Sequence, residues 1–313
     1  MGELGSGPDT ESGAPVRPRP EGESAPLPEA RTEIAGTAWS DGIVVLGGLT
    51  ANGAASAKVH RYKPDDDAWV DAPPLPAPLH HTSAVAGPDG RLWVIGGYTM
   101  RGTAWLPSSK VWSLGASDRR WRAEPELAGA RGALAATVAG ETIVAAGGET
   151  EGRGSPETVS RVVEYLSPGA DRWERGPDLF EPREHLAATT TGDRVLAIGG
   201  RVGSLDSNLR SVESWSPGEG TWRRELPLQK ERGGFAATTV GRVPCVAGGE
   251  QPNRTISLVE CLRDGRWRVV GQLSEPRHGL AAAAIGGRLH VLGGGPRPGL
   301  FVSKAHEVLD VGP

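Results

Sequence analysis

Five arginines stand in register along this chain: Arg31, Arg131, Arg183, Arg232 and Arg277. Each lies sixteen residues before the first glycine of a pair, namely Gly47-Gly48, Gly147-Gly148, Gly199-Gly200, Gly248-Gly249 and Gly293-Gly294. A sixth pair, Gly96-Gly97, follows a hairpin with one extra residue, and the equivalent position is Leu79. Guanidinium groups stay charged and grip carboxylates in bidentate fashion, so a ring of them is an apparatus for anion recognition. Two unit charges about 8 Å apart repel by only about 0.5 kcal/mol in water, and partial burial raises that cost. The ring therefore needs acidic partners, either Glu33, Glu149, Glu184 and Glu250 or a ligand carboxylate. The alternative is that these arginines serve the repeat itself, bonding loop carbonyls or neighbouring acids.

The residues beside the arginines vary more. His80 and His81 stand where the other repeats carry Thr32-Glu33, Gly132-Ala133, Glu184-His185, Gly233-Gly234 and His278-Gly279. Glu184, His185, His80, His81 and His278 are the candidates for acid–base work or for holding a metal. They fall in different repeats with no short ligand spacing such as HxxxH, so neither a metal site nor a cofactor is expected. The second repeat has a long loop carrying Met100, Arg101 and Trp105. Trp105 lies outside the periodic tryptophan position, so Trp105 and Arg101 join the five arginines as candidate ligand contacts.

Positioning these side chains requires a repeat. The glycine pairs recur at intervals of 49, 51, 52, 49 and 45 residues, each closing an apolar run such as Val195–Ile198. A constant period of this length marks a repeat architecture. In the fourth repeat a small apolar strand, 183–191, turns at Gly192-Asp193 into a second strand ending on Gly199-Gly200. A third strand carries Val212-Glu213-Ser214-Trp215, and Trp222 opens a fourth. Four short strands with turns between them make a meander. The opening tryptophan recurs as Trp69, Trp121, Trp173 and Trp267, large enough to cover the contact between adjacent sheets with its N–H seeking an acceptor. The Val-Glu pair recurs as Val163-Glu164 and Val259-Glu260 and becomes Val59-His60, Val111-Trp112 and His306-Glu307 elsewhere.

A diglycine, then an apolar strand, then a tryptophan, repeated six times over residues 25–313, resembles the kelch repeat. The resemblance implies an all-β, six-bladed β-propeller with one four-stranded blade per repeat. The blades are expected at about 31–75, 79–127, 131–179, 183–228, 232–273 and 277–313. The chain stops after the third strand of the sixth repeat. A leucine lies four residues before the start of the next repeat at Leu75, Leu127, Leu179, Leu228 and Leu273, and Leu27 holds that place relative to Arg31. Residues near 18–28 are therefore expected to supply the missing outer strand, within a single domain 17–313. Residues 1–16, rich in Gly, Ser, Pro, Glu and Asp, are expected to be a disordered tail.

The body is electrically balanced. The net charge of −4 is carried by residues 1–33, where seven acids face three arginines. With no basic run, nucleic acid is not an expected partner. No 18-residue apolar run occurs, so no membrane span is expected, and the start lacks the layout of a secretory signal. The expected setting is a cytoplasmic monomer. Cys245 and Cys261 fall in the fifth repeat on neighbouring strands and are expected as two small buried thiols. Kelch arginines at this repeat position contact acidic peptides in cullin adaptors, and the mouth of kelch-type sialic acid mutarotases binds an acidic sugar. The resemblance thus implies a binding or scaffold protein holding an acidic segment or anionic small molecule, or else a sugar mutarotase or isomerase working through Glu184 and the histidines. The tyrosine–cysteine chemistry of copper radical kelch enzymes is not supported by Tyr62, Tyr98 and Tyr165, and no iron-binding acid–histidine series is seen.

Overall fold

The computed structural model describes residues 24–152 and 154–312. It is a six-bladed β-propeller. Five blades are four-stranded antiparallel meanders and the sixth shows three strands. Blade four runs Ala187–Thr191, Arg194–Ile198, Val212–Trp215 and Arg223–Glu225. The innermost strands of successive blades are neighbours all the way round, from Ala35–Trp39 of blade one to Ala281–Ile285 of blade six and back. Helix among the described residues is confined to two short 3-10 turns, Pro156–Thr158 and Leu205–Ser207.

The sequence produces this shape by burying the second strand of each blade on both faces. Gly42–Leu46 is buried throughout, and Ile43, Val44, Val45 and Leu46 have no exposed surface. A strand covered on both sides reads as a continuous apolar run rather than an alternating one. The glycine pair then turns the chain out towards the mouth. Gly48 has φ 91, and a Cβ there would lie 2.5 Å from the Thr32 carbonyl oxygen. The inner strands line the channel with Gly36, Ala84, Ala136, Ala188, Ala237 and Ala282, small enough for six strands to converge.

Four of the five periodic tryptophans tie their blade to the segment before it. The indole N–H of Trp121 donates to Pro73 at 2.9 Å, Trp173 to Pro125 at 2.8 Å and Trp222 to Pro177 at 2.9 Å. Each acceptor lies two residues before a buried leucine: Leu75, Leu127 and Leu179. Trp69 donates in the same way to Ala25, at 2.8 Å, two residues before the buried Leu27. The N-terminal segment thus fills the slot that a fourth strand's exit fills elsewhere. It follows the last strand of blade six, His306–Leu309, through Ser24 N to His306 O and Leu27 N to Lys304 O. Residues 18–23 of the expected closing strand, and the expected tail 1–16, lie outside the described residues.

Two details differ from the sequence reading. The first strand of blade four begins at Ala187 rather than Arg183, because His185 has φ 49 and breaks the extended run. Cys245 and Cys261 are not free thiols. They face each other across the second and third strands of blade five and form a disulfide. Among the described residues no helix is long and apolar enough to cross a membrane.

Candidate functional site

The five arginines do not open onto the mouth. Arg31, Arg183, Arg232 and Arg277 are fully buried, and Arg131 is 1% exposed. One nitrogen of each donates to the first carbonyl of its glycine pair, as in Arg183 to Gly199 at 3.0 Å and Arg31 to Gly47 at 2.6 Å. The other terminal nitrogen pairs with the third-strand glutamate: Arg131 with Glu164, Arg183 with Glu213, Arg232 with Glu260 and Arg277 with Glu307. In blade one His60 replaces the glutamate, with its Nδ1 2.8 Å from Arg31. The second glutamate oxygen accepts the backbone N–H that follows the buried leucine, at Ala128, Phe180, Gln229 and Ser274. Burial pushes the guanidinium groups below their ordinary value, Arg31 to about 10, and the neighbouring glutamates oppose the shift. The anion-recognition capacity expected of this ring is spent inside the blades.

What faces the mouth is a second ring, two residues further on: Glu33, His81, Ala133, His185, Gly234 and Gly279. All six have positive φ, between 49 and 62. Their backbones are linked head to tail. His81 N donates to Glu33 O at 3.1 Å, and the chain of bonds passes through Ala133, His185, Gly234 and Gly279 back to Ile34. Holding Glu33, His81, Ala133 and His185 left-handed costs about 1 kcal/mol each or more, the kind of strain concentrated at working sites. The glycine at 279 makes room, since a Cβ there would come within 2.6 Å of Glu33 Oε1.

Three side chains from this ring, Glu33, His81 and His185, converge. Their donor atoms lie within 4.8 Å of one another, and Glu33 Oε2 is 3.2 Å from His81 Nε2. Behind them, His80 Nδ1 sits 2.6 Å from His81 Nδ1, and Glu184 contacts His185 Nδ1. Arg201 bridges Glu184 at 2.8 Å and Glu250 at 2.7 Å, and His278 Nδ1 lies 3.5 Å from Glu250. Tyr98 donates to Glu149 at 2.9 Å. Trp105 packs its ring 4.7 Å from His80 and 5.0 Å from His81. Of these groups Glu33, His81, His185, Trp105, Arg201, Glu250 and His278 border a cavity of about 410 Å³, walled also by the apolar Leu49, Leu205 and Leu300.

Desolvation dominates the electrostatics. Burial, reinforced by Glu250 and opposed by Arg201, pushes the Glu33 carboxyl up to about 8. Burial holds His80 down to about 4. It holds His81 and His185 well below their ordinary value, with further help from Arg201 and the neighbouring imidazoles. His278 is lowered by burial against the pull of Glu250. Burial thus favours the neutral form of all four imidazoles, and where His80 and His81 meet one Nδ1 accepts the N–H of the other.

The structure thus brings together Glu184, His185, His80, His81, His278 and Trp105 from the sequence candidates. Arg101 is exposed at the tip of the hairpin formed by Tyr98–Arg101 and Ala104–Pro107, away from the cluster's contacts. Arg201 and Tyr98 escaped the sequence reading. Both directly follow a glycine pair, at the position of Leu49, Glu149, Glu250 and Gly295. That residue bridges to the one after the arginine position, as in Glu184 with Arg201 and His80 with Tyr98. Comparing this column across six repeats would have exposed both.

Comparison with known proteins agrees with the fold. A family model described as the Kelch motif matches residues 182–225. Beta-scruin of Limulus polyphemus is 29% identical over 188 residues, covering 59% of this chain and 20% of that protein. Kelch-like protein 34 of Homo sapiens is 28% identical over 174 residues, covering 55% of this chain and 26% of the relative. The chain therefore spans about a fifth to a quarter of these relatives' length. The solved structure of YjhT superposes with a TM-score of 0.78 over 91% of this chain and 98% of that one, at 14% identity, which speaks to fold alone.

Proposed function

We propose that this chain, a kelch-repeat β-propeller, is a binding protein whose channel mouth takes a small, neutral, polyhydroxylated ligand of the sugar class. The observation that carries this is the composition of the cavity wall. Trp105 offers an aromatic face beside carboxylates and imidazoles that can accept and donate hydrogen bonds to hydroxyl groups. The acidic partner expected from the arginine ring finds little support in this arrangement. Arg201, the guanidinium on the cavity wall, already pairs through Nε with Glu184 and through one terminal nitrogen with Glu250, so its charge is met before any ligand carboxylate arrives. The enzyme alternative, a mutarotase- or isomerase-like reaction, shares the same cavity and is read by whether turnover accompanies binding.

The test is a thermal-shift and tryptophan-fluorescence titration with neutral sugars, acidic sugars, dicarboxylates and acidic peptides. A ligand at a hundred times its Kd adds about 2.7 kcal/mol of stability. Neutral sugars should stabilise the protein, and Trp105→Ala should abolish that response. Stabilisation by acidic peptides or dicarboxylates alone would overturn the reading, as would a sugar response that survives Trp105→Ala.

A further inference from the structure

We infer that Glu33, His81 and His185 form a binding site for a divalent first-row transition metal, with zinc the ion the donor set suits best. Two imidazoles and a carboxylate are a common three-ligand set for zinc that keeps one position open. Ligands about 2.1 Å from a tetrahedral ion stand about 3.4 Å apart. Glu33 Oε2 and His81 Nε2 are 3.2 Å apart, and all three donors fall within 4.8 Å, so small side-chain rotations complete the set.

Three further features point the same way. The far nitrogens are turned elsewhere, His81 Nδ1 hydrogen-bonded with His80 and His185 Nδ1 lying against Glu184, which leaves Nε2 of both for an ion. Metal-bound histidines characteristically have such a partner, a carboxylate above all. All three donors come from left-handed positions of one hydrogen-bonded backbone ring, which aims them at a common point. The carboxylates of Glu184 and Glu250 face the single guanidinium of Arg201, a surplus that a cation settles. The open side faces the cavity beside Trp105, so a bound ion would be reachable by a ligand oxygen. The absence of HxxxH spacing does not bear on this site, because its ligands come from blades one, two and four.

This inference does not depend on the sugar reading. Zinc chloride alone is titrated calorimetrically into chelator-treated protein, and cobalt(II) is added separately to look for visible ligand-field bands. The sugar titration is repeated with chelator and with zinc, so either reading can fail alone. One equivalent of zinc should bind. His81→Asn and His185→Asn, in a residue type that tolerates positive φ, should each weaken binding at least 100-fold. Glu184→Gln should weaken it about 10- to 100-fold. As a control for variants that unfold, zinc should protect His81 and His185 of the unmutated protein from diethylpyrocarbonate in peptide mapping. No stoichiometric uptake, uptake unchanged in folded variants, or no protection of these two histidines would overturn the proposal.

Discussion

Blade two carries Leu79 where five blades carry arginine, and Trp112 where four carry the arginine's glutamate. In blade two both charges go together, whereas blade one keeps the arginine with His60 in the glutamate's place and Glu29 3.9 Å from Arg31 Nε. Leu79 is fully buried and Trp112 packs against the same cluster. An arginine without its glutamate would leave a buried, uncompensated charge, which costs about 3–5 kcal/mol. Arg183→Ala is therefore expected to destabilise the protein by about that amount in urea unfolding, because Glu213 stays buried behind it. The double variant Arg183→Leu with Glu213→Trp, which copies blade two, should lose less than Arg183→Ala does. Equal losses would mean that the pair is not coupled. The same comparison explains what the sequence showed and hid. The arginine column and the Val-Glu column were both visible, but whether a guanidinium points to solvent or to a glutamate two strands away is a matter of packing.

At the level of the blade, the third strand's glutamate, the glycine pair's carbonyl and the arginine form one unit that staples three strands and the exit loop. Blade five adds a covalent staple, since Cys245 and Cys261 are buried and joined across adjacent strands. Disulfides persist in oxidising compartments, which bears against the cytoplasmic setting expected from sequence. Thiol titration of protein unfolded without reductant should find no free cysteine, and two titratable thiols would refute the bond. Cys261→Ala should cost about 3 kcal/mol, as expected for a closed loop of this size. The adjacency of the two strands was legible in the sequence. Oxidation was not, because strand adjacency leaves open which residues sit directly opposite.

For the whole molecule, stability depends on closing the ring. Ala25 and Leu27 take the places held by Pro73 and Leu75 at the next junction, and Trp69 donates to Ala25 as Trp121 does to Pro73. Leu27→Ala should cost about 2–5 kcal/mol. Its effect on hydrogen exchange should concentrate in blades one and six, the blades that Leu27 joins through Ile34, Tyr62 and Leu292. Uniform or unchanged exchange would show that the segment is not the closure.

The amino-acid sequence by itself determined the repeat, the blade count, the meander within each blade and the register of Leu27, because these follow from periodic burial and turn chemistry within about 50 residues. Tertiary structure alone decided which polar groups share a space. Glu33, His81 and His185 are separated by 48 and 104 residues in sequence yet meet at one point, because six left-handed positions close into a ring at the channel mouth. The arginines, as regular as any feature of the chain, turned inward. A periodic charged residue meets the same environment in every blade, and here that environment is a glycine carbonyl and, in four of the five, a buried glutamate.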